Sequence, residues 1–148
     1  MYAFKTLLGL ALAVPTLTNP LLRVRSLFPL TSLLTTSNIH QRQCAETCGS
    51  TCYTQSDIDA AVQQGYSDYQ SGQTAGSSSY PHQYNDREGF AFPDSGPYYE
   101  FPILGSEQVY TGGSPGADRV IFTGDGTYEG VITHQGAAGN DFLQCTAG

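Results

Sequence analysis

The placement of four cysteines constrains this chain more than any other feature. Cys44, Cys48 and Cys52 follow one another at four-residue steps, and Cys145 stands three residues from the end. All four fall in the last 106 residues, from Gln43 onward. A domain of that size supports one modest core and benefits from covalent staples. An even cysteine count behind a secretory-type leader reads as two disulfides. Three pairings are open on count alone. If all four cysteines pair, Cys145 must reach a partner near the start and tie the two ends of the domain together. Zinc is the competing use, but the spacing does not fit a zinc module, and an oxidising compartment disfavours free thiolates.

Residues 1–19 carry the marks of a signal peptide: Lys5, then the short apolar run Leu7–Val14, then Pro15. A membrane span needs about 20 apolar residues, so this run is too short for one. Residues 20–42 contain no acid and show no folding pattern. They read as a propeptide processed near Arg42. A second reading treats 24–41 as a mis-translated intron, whose removal would join Arg23 to Arg42 as a dibasic processing site.

Charge changes abruptly at this boundary. No acidic residue precedes Gln43, whereas residues 43–148 hold two basic and thirteen acidic residues, net −11. That balance argues against a protein gripping nucleic acid by a broad basic surface. With 13% charged residues, the chain is also no coiled coil.

One helix is legible. Ser56 is a candidate cap, Asp57 and Asp59 suit the first turn, and Ile58, Ala61, Val62, Tyr66 and Tyr69 recur at helical spacing before Gly72. After residue 80 the signals are strand and turn: Tyr98–Ile103, Asp118–Thr123 and Gly130–His134, separated by Gly/Pro/Ser/Asp clusters. The pattern predicts an α+β domain, a single α-helix packed on a central antiparallel sheet. Alternation along those strands sends Tyr99, Phe101, Val120, Phe122 and Val131 towards the helix. Glu100, Arg119 and His134 then share the other face. The plain alternative is three unrelated polar residues on a wet sheet surface.

The stretch SSYPHQYNDREGFAF alternates Tyr80, His82 and Tyr84 as a strand would. With YYEFPI, GGSPGADRV, GVITH and GNDF in order, and with the cysteine spacing, residues 44–146 resemble the fungal guanyl-specific ribonucleases. The resemblance implies disulfides Cys44–Cys52 and Cys48–Cys145. It implies Glu100 as general base assisted by His82, His134 as general acid, and Arg119 with Tyr80 against the phosphoryl oxygens. Phe142 would shape the phosphate site. The substrate would be single-stranded RNA and the product a 2′,3′-cyclic phosphate, later hydrolysed to a 3′-phosphate. No cofactor, metal or membrane is expected, and the protein is expected to be a secreted monomer.

These residue types suit that chemistry on their own terms. RNA supplies its own nucleophile, the 2′-OH. The enzyme needs a base for that proton, an acid for the leaving 5′-oxygen and fixed donors for developing charge. Opposite charge from Arg119 should lower the pKa of Glu100, and the carboxylates should favour charged His82 and His134. A bell-shaped pH profile is expected.

For the base, the resemblance points to the loop Tyr84, Asn85, Asp86, Arg87 and Glu88, with Asn140 contributing a backbone carbonyl. A carboxylate accepts hydrogen bonds only, so Glu88 can take the adjacent N1–H and N2–H₂ of guanine. Tyr84 would stack on the ring. The commonest family form has Asn and Tyr where this chain has Asp86 and Arg87. Arginine can also stack, so the change bears on guanine-over-adenine strictness; its other reading is a solvated loop charge. Three functions follow: a guanyl-preferring ribonuclease, a purine-preferring one, or a non-catalytic binding module on the same fold. The short links nearly free of Lys and Arg set the chain apart from the basic-looped ribotoxins.

Overall fold

The computed structural model describes residues 43–148; the expected signal peptide and propeptide lie outside them. Two short strands, β1 (Glu46–Cys48) and β2 (Thr51–Tyr53), precede the helix α1 (Gln55–Ser71). Then come β3 (His82–Tyr84), β4 (Tyr98–Pro102), β5 (Asp118–Thr123), β6 (Tyr128–Thr133), β7 (Leu143–Gln144) and β8 (Thr146–Ala147). The central sheet runs β3-β4-β5-β6-β7 with every pair antiparallel. A second sheet, β2-β1-β8, joins the two ends of the domain. The fold is α+β, one helix on an antiparallel sheet.

The cap of α1 is Thr54, not Ser56. Thr54 is extended (φ −78°, ψ 164°), its hydroxyl accepts from Asp57 N–H, and the Asp57 carboxylate accepts from Thr54 N–H. This reciprocal pair satisfies two helix-end donors at once, so it wins over a lone serine already inside the first turn. Gly72 ends the helix in the left-handed conformation (φ 67°) with its N–H on the last carbonyls.

The inner face of α1 is Ile58, Ala61 and Gly65, with Val62 and Tyr66 partly buried; Tyr69 is 37% exposed. Gly65 has a steric reason. A Cβ there would meet Phe101 Cβ at 2.8 Å and Phe122 Cε1 at 2.9 Å, so the helix lies directly on the sheet. The sheet answers with Phe101, Val120, Phe122 and Val131, each at most 1% exposed, and with Tyr99 at the margin. Burying each of these large side chains contributes about 2 kcal/mol.

The opposite face holds a smaller cluster of Tyr84, Ile121 and Ile132 beneath Phe90, Phe92, Tyr98 and Phe142. A bulge in β6 sets its register: Gly130 faces Ile121 and Tyr128 faces Phe122, leaving Glu129 as the extra residue. Without the extra residue the two segments of β6 could not both keep their faces. The disulfides join Cys44 to Cys52 and Cys48 to Cys145, which removes all four cysteines from metal ligation. No helix among the described residues is long and apolar enough to cross a membrane.

Candidate active site

Register brings the polar residues together on the face away from α1. His82 on β3 pairs with Glu100 on β4, Glu100 pairs with Ile121 on β5, and Arg119 on β5 pairs with Ile132 on β6. Alternation then puts the side chains of Glu100 and Arg119 on the same face as Ile121 and Ile132. His134 follows β6 directly, its N–H held by the Ala117 carbonyl.

Glu100 is the centre of the group. One carboxylate oxygen lies 3.1 Å from His82 Nδ1; the other lies 3.8 Å from Arg119 Nε and has no hydrogen-bond partner among the described residues. Arg119 is 4% exposed and anchored through two of its three nitrogens. Its Nε donates to the Tyr80 hydroxyl at 3.1 Å, and one terminal nitrogen donates to the carbonyls of Pro115, Gly116 and Asp118. The guanidinium also lies over the Tyr80 ring, 5.0 Å from its centroid. The GGSPGAD turn thus delivers its own carbonyls to fix the arginine. Tyr80 stacks on His82 at 4.6 Å, which orients the imidazole.

The titration expected for Glu100 is overturned. Burial pushes its carboxyl from 4.5 up to about 7, and Arg119 and His134 only partly oppose this while Glu88 adds to it. At 3.8 Å, with one oxygen unpartnered, the cation does not offset the lost hydration. His82 is likewise displaced downward. Burial is the main cause, Arg119 adds to it, and a hydrogen bond with the Gln83 backbone opposes it.

His134 and Phe142 form a second group. Their rings stack at 3.8 Å, and His134 Nδ1 lies 2.8 Å from the Asp141 carbonyl. Phe142 borders the same cavity as Glu100, so the two groups face one site.

Next to it is a cavity of about 200 Å³ lined by Gln83, Tyr84, Asn85, Asp86, Arg87, Glu88, Glu100, Asn140 and Phe142. Glu88 Oε2 accepts from the Tyr84 hydroxyl at 2.8 Å and Oε1 from Phe142 N–H at 3.0 Å. Burial disfavours its charge, but these hydrogen bonds and nearby Arg87 outweigh it and hold the Glu88 carboxyl below its usual range. Asp86 adopts φ 45°, a left-handed conformation that Asp tolerates, and its carboxylate accepts from Phe90 N–H at 2.9 Å. It shapes the loop from within. Arg87 is exposed at the rim. Since Arg119 is buried, Arg87 is the one exposed lysine or arginine of residues 43–148.

All twelve residues singled out from sequence lie in these three neighbouring groups. Gln83 and the Asp141 carbonyl were not among them. Gln83 lines the cavity from the exposed edge of β3, where a polar residue is unremarked, and Asp141 acts through its backbone, which leaves no side-chain signal.

A family profile described as ribonuclease matches residues 41–146. The chain belongs to this ribonuclease family. Guanyl-specific ribonuclease N1 of Neurospora crassa is 59% identical over 110 residues, 74% of this chain and 72% of that protein. Guanyl-specific ribonuclease T1 of Aspergillus oryzae is 53% identical over 117 residues, 79% of this chain and 90% of that one. Among solved structures, the ribonuclease He1 of Hericium erinaceus superposes with a TM-score of 0.52 at 38% identity, over 70% of this chain and 98% of that one. One further relative, 55% identical over 102 residues, is named an extracellular guanyl-specific ribonuclease.

Proposed function

We propose that this ribonuclease cleaves single-stranded RNA on the 3′ side of guanosine, by transphosphorylation to a 2′,3′-cyclic phosphate followed by hydrolysis to a 3′-phosphate. The observation that carries the reading is Glu100. It is a buried carboxylate held between His82 and a fixed arginine, and it opens onto the same cavity as the carboxylate Glu88.

In the first step Glu100 takes the 2′-OH proton, and His82 steadies the carboxylate by its Nδ1–H. The freed oxygen attacks phosphorus. Arg119, anchored on three carbonyls and Tyr80, presents its remaining N–H groups to the phosphoryl oxygens, where pre-set donors act without reorganising. The Tyr80 hydroxyl joins them, and His134 Nε2 protonates the departing 5′-oxygen. Phe142 holds the imidazole plane. In the second step the roles reverse, with water as nucleophile.

Guanine would enter the cavity between Tyr84 and the rim, donating N1–H and N2–H₂ to Glu88. Asn85 and the Asn140 carbonyl would supply further contacts. Arg87 replaces the expected tyrosine lid, and its exposure favours a second reading, a purine-preferring enzyme. The leader is consistent with secretion, as are the disulfides. With net −11 the domain suits a degradative monomer that works on one nucleotide at a time.

The test is to incubate the oxidised protein with a defined single-stranded RNA in excess EDTA and map every cut. Cuts confined to the 3′ side of G, with cyclic-phosphate ends, are expected. Cuts after both G and A support the purine reading. A folded protein that cuts nothing leaves the binding module instead; where the parent cuts, Glu100→Ala with His134→Ala should abolish cutting.

A further inference from the structure

The peptide group between Asp141 and Phe142 takes part in two hydrogen bonds at once. Its N–H donates to Glu88 Oε1 at 3.0 Å, and its C=O accepts from His134 Nδ1 at 2.8 Å. A carbonyl cannot donate, so His134 carries a proton on Nδ1 in either charge state, and Nε2 is the nitrogen that gives its proton away. The residue proposed to read the base and the residue proposed to protonate the leaving oxygen are thus joined through one planar, resonance-coupled unit. An anion on the N–H side of a peptide places more negative charge on its oxygen and strengthens the bond at the far end.

We propose that the Asp141–Phe142 peptide passes the state of the base site to His134, with Glu88 acting as a positioning residue for the general acid. With the cavity empty, the Glu88 carboxylate polarises the peptide and tightens its carbonyl on Nδ1–H. A base that donates two N–H bonds to that carboxylate draws its charge away from Phe142 N–H. The carbonyl loosens, and the imidazolium gives its Nε2 proton to the 5′-oxygen more readily. A base without an adjacent donor pair leaves the peptide polarised. Discrimination then enters turnover as well as binding. This inference rests on the roles proposed above for Glu88 and His134.

Other charged groups stand in the same site: Glu100 on β4 interacts electrostatically with His134, His82 on β3 and Arg119 on β5 flank Glu100, and Asp141 belongs to the loop that holds His134. All are common to the forms compared below, so the experiment reads a difference. NMR spectra are recorded for the purified ¹⁵N-labelled protein and for Glu88→Gln, each with and without guanosine, which lacks a phosphate to disturb the catalytic groups. Glutamine keeps a carbonyl oxygen for Phe142 N–H but no charge. The Phe142 amide proton is expected to move upfield in Glu88→Gln, and in the parent protein when guanosine binds, with the His134 ring nitrogens moving alongside. Adenosine should leave both unmoved. The alkaline limb of kcat/KM on a GpN dinucleotide should fall by about half a pH unit in Glu88→Gln, roughly threefold in proton affinity.

If guanosine shifts Tyr84 while Phe142 and His134 stay still, the coupling is wrong and the base site stands. If guanosine does not bind, the base-site reading fails, and the unliganded spectra alone decide: a His134 ring identical in both proteins overturns the coupling.

Discussion

Replacing Glu100 with glutamine should make the domain more stable and nearly inactive, and the gain should depend on pH. The carboxyl is 7% exposed, one oxygen lacks a hydrogen-bond partner, and its pKa stands at about 7 against 4.5 when unburied. That displacement corresponds to about 3 kcal/mol of strain in the ionised form, at roughly 1.4 kcal/mol per pH unit. Below about pH 4.5 the group is protonated in the folded and unfolded chains alike, and the penalty is absent. It grows as pH rises and is complete above about pH 7, where both states are ionised. Glutamine resembles the protonated acid at every pH. Urea unfolding of both proteins at pH 4, 6 and 8 should therefore show a gain near zero, then intermediate, then about 3 kcal/mol, which is on the order of 10 °C in Tm. Cleavage of a GpN dinucleotide at pH 8 should fall about 10²–10⁴-fold, as for loss of a general base. In the parent protein the acid limb of the rate profile should lie near pH 7, not near 4. A variant no more stable than the parent at pH 8, or equally stabilised at pH 4, would refute the argument that burial strains this carboxylate.

The remaining expectations concern packing, the buried network, the staples and the rim. Gly65→Ala should destabilise by about 1–3 kcal/mol in chemical unfolding, because its methyl would overlap Phe101 and Phe122. Asp118→Ala should lower stability by about 2–4 kcal/mol, since the buried carboxylate accepts from the Tyr53 and Thr133 hydroxyls and the Gln135 amide, donors that would be left unpaired. Opening Cys48–Cys145 with a double alanine change frees a 97-residue separation and should lower stability by about 4–5 kcal/mol; the eight-residue Cys44–Cys52 loop should matter less. Arg87→Tyr should raise the ratio of GpN to ApN cleavage with little change in stability, because Arg87 is exposed and lines only the cavity rim.

Much of this domain was legible because its signals are local. Period-two alternation in YYEFPI and DRVIFT assigned faces correctly, and helical spacing from Ile58 to Tyr66 marked α1. The short strands β1, β2, β7 and β8 escaped, since two or three residues carry no period; they exist because the cysteines and the chain ends hold them in register. The cap was misplaced because Ser56 and Thr54 both suit the role by type, and only the Thr54–Asp57 exchange separates them.

By itself the sequence determined which groups could do chemistry and which side of the sheet they occupy, because side-chain type and strand alternation are properties of neighbouring residues. Only the tertiary structure decided their strength. Opposite charge read in one dimension lowers the Glu100 pKa, whereas burial beneath β3 and β5, with Arg119 turned towards Tyr80 and three carbonyls, raises it. Hydration lost on folding depends on everything packed around a group, and no stretch of sequence carries that sum.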